Sequence, residues 1–98
     1  MQIQGTVTAV GSGQPVRGAE VAIEWGSGLG GGAATLHTDR EGRYAARRTL
    51  RTTTPTCEGT VITVRAPYHA SAYNAYSDST CGTGGVLTLD FKLIPLPR

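Results

Sequence analysis

Few side chains in this sequence have the type and spacing that chemistry requires. Cys57 and Cys81 could pair, bind a metal or supply a nucleophile. His37 and His69 are the two histidines, far apart in the chain. Asp39 and Glu41 place two carboxylates in the run Thr38-Asp39-Arg40-Glu41-Gly42-Arg43-Tyr44. Trp25, Tyr68, Tyr73 and Tyr76 are aromatics that could form a binding surface, and five glycines crowd the stretch 26–32.

Each candidate weakens when its chemistry is spelled out. Zinc needs four ligands, and His37 and His69 lack ligand-like spacing beside the two cysteines. A catalytic cysteine needs a paired histidine, and no local signature marks one. The glycines of 26–32 are not followed by Lys-Ser/Thr or a helix, so they do not cradle phosphate and read as a mobile strand connection. Asp39 and Glu41 could attract calcium, but Arg40 and Arg43 spoil the cage, and a polar turn is the plainer reading. No nucleophile, base and orienter can be assembled, and no metal or cofactor residue is expected.

The elements that would position these residues are short strands. Ile3, Gly5, Val7 and Ala9 alternate with polar residues, as do Ala19, Val21, Ile23 and Trp25. Further strands are expected at 33–38, 42–49, 60–66, 70–77 and 86–93, seven in all. Asp39 can bond its own backbone two residues on, and Gly42 supplies the positive φ of a tight hairpin loop. Tyr44 then re-enters the sheet on a half-buried surface. Trp25 reads as a core or core-edge residue, with a binding platform as its second reading. Tyr73 and Tyr76 fall on opposite faces of one strand, so one is expected in the core and one exposed. Seven short strands joined by turns imply an all-β fold, a β-sandwich.

The cysteines fit that fold. Two strands joined through Pro67-Tyr68-His69-Ala70 pair in a register that sets Cys57 opposite Cys81 at the open end of the hairpin. A disulfide there is the preferred reading, worth roughly 3 kcal/mol by loop closure. It favours an extracellular, cell-surface or periplasmic home, with any leader absent from this sequence.

The chain has 98 residues and a net charge of +2, enough for one domain and too little charge to suggest a nucleic-acid partner. Arg40, Arg43, Arg47, Arg48 and Arg51 cluster in sequence but split between strand faces, which reads as a solvated edge. No apolar run is long enough for a membrane helix, so no membrane insertion is expected. Residues 1–94 are expected to fold as one domain, with 95–98 leaving as an extended Pro-rich tail.

Ile3-Gln4-Gly5-Thr6-Val7, Gln14-Pro15-Val16-Arg17-Gly18-Ala19-Glu20-Val21, Thr38 to Tyr44 and Leu89-Asp90-Phe91-Lys92-Leu93 occur in an order that resembles a carboxypeptidase regulatory-like domain. That group shares the transthyretin-like, or prealbumin-like, β-sandwich. The resemblance implies a seven-stranded Greek-key sandwich serving as an accessory, spacer or adhesion module, with no catalytic residues. A hydroxyisourate hydrolase of the same fold group ends in Tyr-Arg-Gly-Ser, whereas this chain ends Pro95-Leu96-Pro97-Arg98. Intradiol dioxygenases, on a related sandwich, bind iron through two tyrosines and two closely spaced histidines, a spacing His37 and His69 do not have.

Two functional classes follow. One is a structural or interaction module whose partners are neighbouring domains or copies of itself, joined through edge strands and termini in a homo-oligomer or filament. The other is a ligand-binding module, for carbohydrate above all, using Trp25 and the tyrosines. Two or more exposed aromatics on one flat strip point to sugar; one aromatic in an apolar patch points to protein.

Overall fold

Alternating apolar and polar residues build eight strands in the computed structural model, which describes residues 1–49, 56–75 and 85–97. They are β1 (Gln2–Ala9), β2 (Glu20–Glu24), β3 (Ala33–His37), β4 (Arg43–Arg47), β5 (Val61–Arg65), β6 (Ala72–Ala75), β7 (Val86–Thr88) and β8 (Phe91–Leu93). β1 is the centre of one sheet, antiparallel to β4 on one side and parallel to β7 and β8 on the other. The second sheet runs β3-β2-β5-β6, antiparallel throughout.

Every second residue of each strand turns inward, and the two inner faces meet in one core. These residues are largely buried in the central strands β1, β2 and β5 and only half-buried in β3 and β6. Ile3, Val7, Leu87, Phe91 and Leu93 come from the first sheet; Val21, Ile23, Ile62 and Val64 come from the second. Burial of each such side chain is worth about 1.5–3 kcal/mol, so this core dominates stability. The described fold is therefore all-β, two sheets enclosing a shared core.

Two buried hydroxyls tie loops to that core. Thr38 donates to the Val16 carbonyl at 2.6 Å and accepts from the Ala19 N–H at 2.9 Å. Thr60 accepts from the Gly26 N–H at 3.0 Å. Satisfied in this way, neither carries the cost of an unpaired buried group.

Four expectations need correction. The run 86–93 is not one strand but two, β7 and β8. The Tyr44 hydroxyl takes the Leu89 carbonyl at 2.6 Å, and the Asp90 carboxylate takes the Thr6 N–H at 2.9 Å, so backbone pairing with β1 lapses between them. Gly5 lies beneath this junction: a Cβ there would sit inside the Leu89 carbonyl oxygen.

The stretch 26–32, expected to be a shapeless connection, holds a 3-10 turn at Ser27–Leu29 with Leu29 fully buried. The hairpin register is Val61↔Ala75 through Val64↔Ala72, a residue or two away from the one that sets Cys57 opposite Cys81. Cys57 also stands outside the ladder, in a turn where its carbonyl accepts the Thr60 N–H at 2.9 Å. Cys81 and Tyr76 lie outside the described residues.

The fourth correction concerns the tail. Residues 94–96 do not leave the domain. The Ala70 N–H donates to the Ile94 carbonyl at 2.9 Å, the Leu96 N–H donates to the Tyr68 carbonyl at 2.7 Å, and His69 pairs with Pro95 between them. Proline is tolerated because the bonds use the Ile94 carbonyl and the Leu96 N–H, never the missing donor of Pro95.

Candidate interaction surface

The pairing of the C-terminal segment decides where apolar side chains are left in water. β1 and β8 run parallel with Ala9 beside Leu93, and the Val10 N–H donates to the Leu93 carbonyl at 2.8 Å. This sets Val10 next to Ile94. Across the antiparallel bridge, Ala70 lies opposite Ile94 and Tyr68 opposite Leu96. Alternation turns Ile94 and Leu96 to one face and Pro95 to the other. A band of Val10 (45% exposed), Ile94 (60%), Leu96 (48%) and Tyr68 (63%) results at one end of the sandwich. Tyr73 and Val86 are the other large exposed hydrophobics among the described residues.

Tyr68 sits in this band at a backbone cost. The His69 N–H reaches the Ala66 carbonyl at 3.3 Å, closing a β-turn with Pro67 and Tyr68 in its centre. Proline at the first central position and φ of 62° at the second make it a type II turn, where glycine or asparagine is usual. Tyr68 is the one non-glycine residue with positive φ among those described. A bulky residue in that region stores about 1–2 kcal/mol of strain.

The Asp39–Tyr44 constellation is structural. Asp39 Oδ1 accepts the N–H groups of Glu41 and Arg43, each at 2.9 Å. The Arg43 N–H above all holds the Asp39 carboxyl below the usual carboxylate range, helped by the Glu41 N–H and the Arg43 charge. Gly42 has φ of 73° as expected, and Tyr44 is buried against Phe91, ring centroids 6.5 Å apart. Glu41 pairs with Arg43 at 3.3 Å in solvent, so the two carboxylates do not converge on a common point. No group of three His, Cys, Asp or Glu residues able to hold a metal occurs among the described residues.

The remaining sites divide. Trp25 is not a platform: it is 7% exposed, with the Arg48 guanidinium 5.2 Å over its ring and Arg48 Nη1 bonded to the Gly31 carbonyl. The glycine stretch and Arg48 together cover it. Tyr73 stands exposed on the outer face of β6, while Tyr76, the other member of the expected core/exposed pair, lies outside the described residues. Cys57 is fully buried, and no free cysteine occurs among the described residues. On the outer face of the first sheet, Arg47 donates to Gln2 (2.7 Å), Gln2 to Gln4 (2.5 Å) and Gln4 to Thr88 (3.4 Å). This ladder beside a groove of about 390 Å³ spends much of its hydrogen-bonding capacity on itself. Sequence reasoning missed the band, because its four members converge only through the C-terminal pairing.

No family model matches the sequence, and no curated protein matches it. Among solved structures, the chain is similar to chlorocatechol 1,2-dioxygenase from Pseudomonas putida, with a TM-score of 0.65 and 18% identity. The match covers 95% of this chain and 59% of the dioxygenase chain, so this chain spans well under two thirds of that protein's length. At this identity the likeness concerns the fold alone. No helix among the described residues is long and apolar enough to cross a membrane.

Proposed function

We propose that this chain is a non-catalytic structural module of the transthyretin-like sandwich group, related to carboxypeptidase regulatory-like domains, which associates with copies of itself. One observation carries the proposal: the C-terminal pairing brings Val10, Ile94, Leu96 and Tyr68, all exposed, to one end. Clustered apolar surface is uncommon on monomers and marks interaction sites. An apolar band is also chemically self-complementary, so two copies can meet across a two-fold axis.

The route differs from an exchange of termini. The C-terminal segment is engaged by its own chain, and the N-terminal ammonium donates to the Arg48 carbonyl at 3.0 Å. Association therefore uses side chains of the band. Sedimentation velocity across a dilution series tests this: the wild type forms a concentration-dependent oligomer, and Ile94→Lys is monomeric. A wild type that is monomeric at high concentration contradicts it.

An extracellular or surface location belongs to the same proposal, through a Cys57–Cys81 disulfide. The buried, non-free state of Cys57 supports it. Intact mass before and after reduction would differ by two hydrogens; two free thiols in protein prepared without reductant contradict it. Carbohydrate binding is the second reading, and Tyr73 favours it as an exposed aromatic on a flat sheet face one row from Arg65. With Trp25 covered, one aromatic in an apolar patch at Tyr68 supports protein contact better.

A further inference from the structure

Beside the band, between the two sheets at the same end, lies a second feature. Pro15 and Val16 face Ala66 and Pro67 across a groove of about 380 Å³. His69 lines it as well, on the opposite face of the hairpin from Tyr68, so the groove and the band are separate surfaces. No Asp or Glu lines this groove, while Arg17 does.

Arg17 makes no ion pair or hydrogen bond among the described residues, and it stands exposed at the groove. The His69 ring has a fixed polarity: Nδ1 lies 2.7 Å from the Pro67 carbonyl, which can only accept. That contact puts a proton on Nδ1, and in the neutral ring Nε2 is then an acceptor. Small apolar walls, the Gln14 amide, the Arg17 cation and the His69 ring share a single trough.

We infer that this groove holds an extended peptide segment of a partner protein, with a carboxylate of that segment on Arg17 and one of its backbone N–H groups on His69 Nε2. The charge complementarity is one-sided, because the groove offers a cation and no anion. A bare carboxylate such as acetate would satisfy Arg17 but leave His69 and the proline walls unused. An extended segment with small apolar residues beside an acid satisfies all three.

Two capped peptides test it, Ac-Pro-Val-Glu-Val-Pro-NH2 and its Gln counterpart, titrated into 15N-labelled protein with amide shifts as the readout. The Glu peptide shifts Val16, Arg17, Ala66 and His69, and the Gln peptide binds roughly fivefold more weakly, the loss of one exposed charge pair. Arg17→Gln, a change at an exposed position, abolishes that preference. Acetate at equal concentration produces no such pattern. Equal affinity for the two peptides, shifts away from the groove, or the same shifts with acetate would each overturn the inference. Ile94→Lys protein binds the Glu peptide as the wild type does, so loss of self-association and loss of peptide binding are told apart.

Discussion

Two turns in this molecule solve the same backbone problem in opposite ways. The Asp39–Gly42 turn needs a residue at positive φ and uses glycine, with φ of 73°. A Cβ there would meet the Val7 carbonyl oxygen at 2.5 Å, so no other residue fits. Both of its backbone polar groups are used: Gly42 donates to the Asp39 carbonyl at 3.0 Å, and Val7 donates to the Gly42 carbonyl at 2.7 Å. The Pro67–Tyr68 turn needs positive φ just as much and uses tyrosine, 63% exposed. One turn is fitted to folding. The other keeps strain where an aromatic is presented to solvent, and strain of that kind concentrates at functional positions.

Substitutions can break or sharpen this contrast. The largest effect is expected just beyond the glycine-fitted turn, at Gly5, which lies under the Tyr44–Leu89 hydrogen bond. Gly5→Ala should destabilise by about 4 kcal/mol or more, at the exceptional end for single changes. Its denaturant midpoint, or its failure to fold, is the measurement. Gly42→Val follows, at about 3 kcal/mol, because strain and collision add. A cost under about 1 kcal/mol at Gly42 would remove one side of the comparison.

At the other turn the sign reverses. Tyr68→Gly should raise stability by up to about 1 kcal/mol, since glycine adopts this φ without strain and loses some of that gain to unfolded-state entropy. The same substitution should weaken self-association. A variant that is more stable and less associated shows that Tyr68 is retained for contact rather than folding. Loss of stability on this change would mean that Tyr68 is there to hold the turn.

The smallest effect separates the turns by acid. Asp39 has its carboxyl held low by backbone N–H groups, so its stabilisation is present above the unfolded carboxylate range and fades as pH falls through the folded value. Asp39→Asn should flatten that part of the pH–stability curve. Tyr68→Gly should leave it unchanged, since neither Pro67 nor Tyr68 carries a carboxylate.

How much of this was readable beforehand follows the range of each interaction. The alternation in β1, β2 and β5, the positive φ of Gly42 and the burial of Tyr44 all come from local pattern, and all were legible. The split at Leu89–Asp90 was not, because it depends on Tyr44 and Thr6 arriving from distant strands. Trp25 could be placed near the core, but its cover by Arg48 and the glycine stretch was hidden, since glycine-rich sequence carries no packing signal. The tail was misread for a similar reason. Prolines at 95 and 97 exclude a central strand, yet they leave the Leu96 N–H free to pair with the Tyr68 carbonyl, and that pairing assembles the band.

The claim that this end of the sandwich exists for contact is tested most directly by sedimentation velocity on wild type, Ile94→Lys and Tyr68→Gly over one shared concentration range. The account predicts an oligomer for the wild type that dissociates on dilution, a monomer for Ile94→Lys and weakened assembly for Tyr68→Gly, with all three folded. A single monomeric boundary for all three at the highest concentration, or equal assembly by all three, would contradict it.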